Sequence, residues 1–110
     1  MIHTVVFKDQ EDRVRGFHIS GHAGYGQAGE DVVCAAVSML AINTANAIER
    51  LAEDRFSMTA DDEKGDMLYS VEGIPSREAS LLLEALVLGL EGMADDENYA
   101  EYIDLTFQEV

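Results

Sequence analysis

A long uncharged segment limits what this chain can fold into more than any other feature. Residues 32–48 contain no charged side chain, although charged residues make up 26% of the sequence. A helix without charges has no broad solvated face, so this segment predicts a central helix that is buried nearly all round. Asn43, Thr44 and Asn46 interrupt its apolar character. Spanning a bilayer takes about 18 or more apolar residues, so we expect no membrane-spanning segment and no membrane partner.

Periodic patterns around this helix predict the remaining elements. Alternating polar and apolar residues predict strands at residues 2–8, 14–20, 55–60, 66–72 and 99–107. Alternation in the later strands points eight apolar side chains inward: Phe56, Met58, Met67, Tyr69, Val71, Ile103, Leu105 and Phe107. A second helix starts at Pro75 and Ser76 and runs to about Asp95. The order ββαββαβ predicts a single α+β domain over residues 1–110, with two helices packed on a mainly antiparallel sheet.

The second helix has too little polar surface to stand alone in water. Arg77, Glu84 and Glu91 recur every seven residues, and nearly everything else between Leu81 and Met93 is apolar. One narrow polar stripe leaves two apolar sides. One side packs within the domain, and the simplest cover for the other is a second copy of the chain, so we expect a homodimer.

The amino-acid composition limits the classes of partner that the chain can bind. The 110 residues carry 22 acidic and 7 basic side chains, a formal net charge of −15. Docking on nucleic acid would add repulsion, so we expect no direct nucleic-acid binding. The charge favours a basic protein partner or serves solubility alone. The single cysteine excludes an intramolecular disulfide, and the first ten residues lack a signal-peptide pattern, so we expect a cytoplasmic protein.

The segment before the central helix is rich in glycine. Gly21, Gly24, Gly26 and Gly29 give its backbone access to left-handed dihedrals, which predicts a mobile loop that could close over a substrate. His22 stands where the second strand ends and this loop begins. A rigid strand would fix the direction of its imidazole, and the loop would give a substrate access to it.

The only cysteine follows this loop. With Asp31 as N-cap, Cys34 would lie in the first turn of the helix, where unpaired N–H groups and the helix dipole favour a thiolate. Cys34 would then attack a carbonyl carbon, His22 would act as general base and acid, and first-turn N–H groups would bind the oxyanion. The alternative is that Cys34 is one more small residue of an apolar helix stripe.

Two further residues have open roles. Asp31 either caps the helix or orients His22, and Ser38 hydrogen-bonds either the thiolate or the carbonyl four residues earlier. His22, Asp31 and Cys34 could also be considered as metal ligands, but the paired short spacings of metal sites are missing. We therefore expect neither a metal nor a cofactor.

The segment from Gly21 to Ser38 resembles the ribosomal-processing cysteine protease (Prp) family. The matching residues are His22, Gly24, Gly29, Asp31, Cys34 and Ser38. The family often has Gly where this chain has Ala36, a change that leaves the chemistry untouched. The resemblance implies a homodimeric cysteine protease with Cys34 as nucleophile and His22 as its proton-transfer partner. It also implies a substrate, the precursor of the twenty-seventh large-subunit ribosomal protein, which loses a short N-terminal extension at a hydrophobic, Phe-containing region.

Two other functions fit parts of the sequence. A low-pKa cysteine at a helix start is also what a peroxide sensor needs, although no second cysteine is present to resolve it. An acidic surface could instead hold a basic ribosomal protein without cleaving it, as a ribosome-assembly adaptor would.

Overall fold

The computed structural model describes residues 1–21, 28–61 and 65–110, and for residues 28–30 it describes the backbone alone. The elements are β1 (Ile2–Lys8), β2 (Val14–Ser20), α1 (Ala28–Leu51), β3 (Phe56–Asp61), β4 (Asp66–Val71), α2 (Arg77–Asp95), a short 3-10 helix (Ala100–Tyr102) and β5 (Ile103–Glu109). The predicted order ββαββαβ and the α+β class are confirmed. Residues 62–64, in the predicted acidic turn between β3 and β4, lie outside the described residues.

The five strands form one sheet in the order β3-β4-β2-β1-β5. Neighbouring strands are antiparallel except β1 and β5, which run parallel with Ile2 opposite Ile103 and Lys8 opposite Glu109. The first and last strands of the chain are therefore direct neighbours. The prediction of a mainly antiparallel sheet is confirmed.

The core lies between this sheet and the two helices. Alternate residues of β1 and β2 are buried, among them Val6, Phe17 and Ile19. Phe17 and Phe56 stack on the ring of Tyr69, with centroid distances of 5.3 and 5.2 Å. From α2 the core receives Ala79, Leu83, Leu86, Val87 and Leu90. One contiguous cluster thus holds the helices against the sheet.

Helix α1 is buried on one side only. Its inward row consists of Val33, Val37, Ala41, Ala45 and Ile48. On the opposite side Val32 and Met39 are exposed, Met39 to 64%. The prediction that this helix is buried nearly all round is wrong, because α2 lies beside α1 and leaves the outer side of α1 uncovered. An uncharged helix face can therefore be an exposed apolar face.

Composition alone would also allow α1 to cross a membrane. The segment Asp31–Leu51 has 21 residues and a mean hydropathy of 1.5, which is long and apolar enough to cross a bilayer. This contradicts the expectation that its polar residues would prevent crossing. Core helices of soluble proteins pass the same test of length and composition. In this structure the inward row of the helix packs in the core of the domain.

Helix α2 begins where the sequence places it. The Ser76 hydroxyl accepts a hydrogen bond from the Ala79 N–H at 3.0 Å, which satisfies one of the unpaired donors of the first turn. The Ser76 N–H and hydroxyl in turn donate to the carboxylate of Asp54, which follows α1. Burial raises the pKa of Asp54, but these bonds outweigh it and lower the pKa overall. A carboxylate that sequence patterns do not single out therefore ties the end of α1 to the start of α2.

Two side chains predicted to point inward are exposed. Phe107 is 49% exposed and lies beneath Lys8, whose Nζ is 4.8 Å from the ring centroid. Met58 on β3 is 48% exposed. Both predictions are wrong for the same reason: β3 and β5 are the edge strands of the sheet, and the helices do not cover the sheet as far as these positions. Ile103 at the start of β5 is buried as predicted.

Candidate active site

Cys34 lies further into helix α1 than the sequence predicts. The helix begins at Ala28, so Asp31 is its fourth residue and Cys34 its seventh, in the second turn. The predictions that Asp31 is the N-cap and that Cys34 lies in the first turn are wrong. Ala28 is a strong helix former, and acidic residues at positions 30 and 31 are favourable near the positive end of the helix dipole, so the helix extends past Gly29 toward its N-terminus.

This position changes how the thiol can be activated. Only the first four N–H groups of a helix are unpaired, and the effect of the dipole falls off within the first turn. The N–H of Cys34 lies beyond the first turn, and its part in binding an oxyanion stays a prediction. Cys34 is half-buried, and a thiol in the second turn would need a neighbouring side chain more than the helix terminus for its activation.

The loop before the helix is described only at its first residue. Gly21 has φ +81°, and a Cβ added there would lie 2.5 Å from the Met1 carbonyl oxygen, so glycine is required at this position. Gly29 belongs to α1, which is a correction to its predicted place in the loop. His22, Gly24 and Gly26 lie outside the described residues. The closure of the loop and the approach of His22 to Cys34 stay predictions.

A groove runs along α1 from the turn that follows Cys34. Ser38 is four residues after Cys34, on the same side of the helix and about 6 Å further along its axis. Ser38 is half-buried and lines a groove of about 420 Å³. The side chains that form most of its wall are Ile19, Ser38, Ile42, Met58, Ala60 and Met67. The groove is therefore bounded by α1 on one side and by strands β2, β3 and β4 on the other.

The two other histidines are engaged with carboxylates. His18 Nε2 lies 2.6 Å from Asp66 Oδ1, which joins β2 to the start of β4. His3 Nδ1 lies 2.6 Å from Asp104 Oδ2, which joins β1 to β5. Sequence patterns do not reveal either pair, because the two partners are distant along the chain. Their contacts give them structural roles in the sheet.

The described residues offer no site for a metal ion. Within the ranges 1–21, 28–61 and 65–110, no three His, Cys, Asp or Glu side chains come together in a way that could hold one. The chemistry that this part of the chain can support is that of a half-buried thiol beside an apolar groove.

Comparison with known proteins identifies the family. A family model described as "Cysteine protease Prp" matches residues 1–104. This chain belongs to the Prp family of cysteine proteases. Prp from Staphylococcus aureus, a ribosomal processing cysteine protease, is 30% identical over 108 residues, which cover 98% of this chain and all of the relative. Prp from Bacillus subtilis is 25% identical over 100 residues, covering 87% of this chain and 89% of the relative.

Solved structures of Prp share the fold. The essential S. aureus Prp in complex with a substrate peptide superposes with a TM-score of 0.91 at 28% identity, covering 98% of this chain and all of that one. A protein from Streptococcus mutans superposes with a TM-score of 0.85 at 30% identity, covering 100% and 99%. The cysteine protease activity inferred from the Cys34 motif is thereby confirmed for the family.

Proposed function

We propose that this chain is a cytoplasmic cysteine endopeptidase that removes a short N-terminal extension from a basic large-subunit ribosomal protein. Cys34 is the nucleophile, and His22 is the general base and acid. The observation that carries the proposal is the place of Cys34: the single thiol of a Prp family member lies half-buried on the side of α1 that leads into an apolar groove.

The proposed reaction has two steps. His22 takes the proton of Cys34, and the Cys34 sulfur attacks the carbonyl carbon of the scissile bond. The tetrahedral adduct collapses when the imidazolium gives its proton to the leaving amine, which departs and leaves a thioester on Cys34. His22 then takes a proton from water, and the resulting hydroxide cleaves the thioester and restores the thiol.

Asp31 and Ser38 support this chemistry in the proposal. Asp31 is exposed and is the fourth residue of α1, so it is not the N-cap, and its proposed role is to orient His22. Ser38 stands between Cys34 and the groove, where its hydroxyl can contact either the sulfur or the bound peptide. Both roles are positioning roles.

The charge of the chain supports a basic substrate. A net charge of −15 attracts a positively charged ribosomal protein and repels nucleic acid, so we expect the free precursor to be bound in preference to rRNA. The complex of the S. aureus relative with a substrate peptide supports binding of a peptide segment by this fold.

Cleavage of a purified precursor tests the proposal. We expect the native chain to release one N-terminal fragment from the basic precursor, and Cys34→Ala to release none while still binding the precursor. Without the sulfur there is no nucleophile, so the loss should be complete within the sensitivity of mass spectrometry. An intermediate thioester trapped by acid quenching should add the mass of the acyl fragment to the native chain only.

The controls separate the alternatives. Cys34→Ser keeps the shape of the side chain and should bind as the native chain does with little or no cleavage. Precursor binding without cleavage by the native chain would support an assembly adaptor. Peroxide consumption by Cys34 without peptide cleavage would support a redox sensor.

We further propose that two copies associate through the outer faces of the two helices. Leu81 and Leu88 on α2 are 69% and 70% exposed, and Val32 and Met39 are exposed on α1. The helices approach closely at Gly89, where an added Cβ would lie 2.6 Å from a Leu40 methyl, so both helices can contribute apolar side chains to one interface. Covering such a surface with the same surface of a second copy is the simplest symmetric arrangement.

Light scattering after size-exclusion chromatography tests the dimer. We expect the native chain to elute as a dimer and Leu88→Glu as a monomer, because a carboxylate at the centre of an apolar interface is not solvated there. The matched control is Leu68→Glu on the opposite face of the sheet, where Leu68 is also exposed. A monomeric native chain, or dissociation by the control but not by Leu88→Glu, would contradict this arrangement.

A further inference from the structure

The outer edge of β5 ends the sheet with main-chain groups that face away from it. Within the ranges that the structure describes, β5 pairs with β1 alone. The Asp104 carbonyl accepts a hydrogen bond from the Thr4 hydroxyl, and the Val110 N–H donates to the Lys8 carbonyl, so even-numbered positions face β1. Main-chain groups of successive strand residues point to opposite edges. Those that point outward therefore belong to Leu105, Phe107 and Glu109.

Apolar surface lies along the same edge. Leu105 is half-buried and Phe107 is 49% exposed, and both lie on the helix side of the sheet. The Lys8 ammonium lies over the Phe107 ring and is paired with Asp12 at 3.3 Å. A strand added beside β5 would lay alternate side chains against Leu105 and Phe107 and bury apolar surface that now faces water.

The chain segment that contains β5 is acidic. Every charged residue among residues 94–110 is an aspartate or a glutamate. Glu101 precedes β5 and Glu109 ends it, and both side chains are exposed. Basic side chains of an added strand would therefore be attracted at both ends of β5.

The same charges disfavour a second copy of the chain at this edge. Two β5 strands placed side by side would bring the acidic side chains of one copy close to those of the other. Like charges on neighbouring strands are destabilising. The dimer proposed above uses the helices and does not need this edge.

The thiol lies within reach of this edge. Ser38, one helical turn after Cys34, lines the groove together with Ile19 of β2. Thr4 of β1 is the partner of both Ile19 and Leu105, so these two residues are about 10 Å apart, at a strand spacing of about 4.8 Å. An extended peptide covers about 3.3 Å per residue, so a substrate bound at Cys34 would reach the outer edge of β5 with about five residues.

We propose that the outer edge of β5 is an exosite, a binding surface away from the scissile bond, that takes up an extended basic segment of the substrate protein as an added strand. The segment lies on the side of the cleavage site that the mature protein keeps, because the removed extension is short. Main-chain hydrogen bonds would provide affinity, and basic residues alternating with apolar ones would provide preference. The inference rests on the proposed function, since it takes Cys34 as the nucleophile and a basic ribosomal protein as the substrate.

Charge reversal at both ends of β5 tests the exosite. We expect Glu101→Lys combined with Glu109→Lys to raise KM for the full-length precursor at least tenfold, with little change in kcat. A short peptide that ends about three residues after the scissile bond cannot reach β5 at about 3.3 Å per residue, so its KM should be unchanged.

The matched control is Glu53→Lys combined with Glu72→Lys. Both residues are exposed and lie near the start of β3, the opposite edge strand. This variant changes the net charge by the same amount, so it measures the effect of overall charge alone. It should leave KM near the native value for the precursor and for the short peptide.

The main-chain pairing is tested at Phe107. Phe107→Ala removes the ring and keeps the outward N–H, whereas Phe107→Pro removes both and takes no donor from the pairing with β1. Proline is tolerated on edge strands where the N–H faces solvent. We expect the proline variant to bind the precursor several-fold more weakly than the alanine variant, with far-UV circular dichroism showing that both fold. Equal affinities would overturn strand addition, and if the proline variant does not fold, the charge-reversed pair decides.

Binding measured without catalysis distinguishes this inference from the proposed function. In the Cys34→Ala background, a labelled peptide that copies the retained basic segment and lacks the cleavage site should bind in fluorescence anisotropy. Its affinity should fall at least tenfold with the reversal at Glu101 and Glu109 and stay near native with the control pair.

The outcomes separate the two proposals. If the native chain cleaves the precursor but the two charge-reversed variants behave alike, the exosite is overturned and the protease stands. If the basic peptide binds and only the reversal at β5 weakens it, although no precursor is cleaved, the exosite stands and the protease is overturned. Protection of the β5 amides from hydrogen exchange that rises with the concentration of the chain alone would assign this edge to a second copy and overturn the exosite.

Discussion

Replacing His22 by alanine will lower kcat for precursor cleavage by about 10²–10⁴-fold, the usual contribution of a general acid–base group. KM should stay near its native value, because His22 acts on protons during bond making and breaking and not on substrate binding. Cys34 lies in the second turn of α1 and receives little from the helix dipole, so in the proposed mechanism the imidazole has to supply most of its activation. Steady-state kinetics between pH 5 and 9 measure the effect.

The shape of the pH profile is as informative as the rate. The native enzyme should show two limbs in kcat/KM, one for the thiol and one for the imidazole, and His22→Ala should lose one of them. The matched control is His18→Ala. It removes a histidine of β2 whose imidazole contacts the carboxylate of Asp66. It should keep both limbs and a nearly native kcat. Equal losses with the two variants would contradict the role given to His22.

Replacing Tyr69 by alanine will destabilise the fold by about 3–5 kcal/mol, the cost of removing a large buried aromatic side chain. Its ring is fully buried and stacked between Phe17 and Phe56, so three elements lose their common contact. Urea unfolding followed by far-UV circular dichroism measures the change in the free energy of unfolding. The midpoint should fall while the slope stays nearly constant.

Tyr69→Phe is the matched control. Within the described residues the Tyr69 hydroxyl is buried and has no hydrogen-bond partner. Burial, with the carboxylates of Asp54 and Glu49 nearby, raises its pKa to about 12, so the group stays neutral at all working pH values. Removing an unpaired buried hydroxyl should leave stability unchanged or raise it by about 1 kcal/mol. A loss comparable to that of Tyr69→Ala would show that the hydroxyl, and not the ring packing, stabilises the core.

The strands were the most predictable part of the fold. Alternation of polar and apolar residues is a local signal, and it correctly located β1, β2 and the Met67–Val71 face of β4. It failed at Phe107 and Met58, because a side chain on an edge strand can point toward the helix layer and still be exposed to solvent. Whether such a side chain is buried depends on how far the helices extend over the sheet, which is a property of the whole fold.

The candidate site was predictable as a motif but not as geometry. The residue types around Cys34 indicated a thiol protease, and the family comparison confirms that activity. The start of α1 was misplaced because Asp31 is as acceptable in a first turn as at an N-cap. The groove was not anticipated at all: its walls come from Ser38, Met58 and Met67, which are separated along the chain and meet only in the folded sheet.

The pairing of β1 with β5 also constrains when the enzyme can exist. Residues 2–8 need residues 103–109 beside them, so a growing chain cannot complete its sheet until residues 103–109 have left the ribosome. Partial chains leave the outer edge of β1 without its neighbouring strand. During its own synthesis, therefore, a chain of this design would close its sheet only when residues 103–109 emerge and pair with β1, so segments about a hundred residues apart complete the domain together.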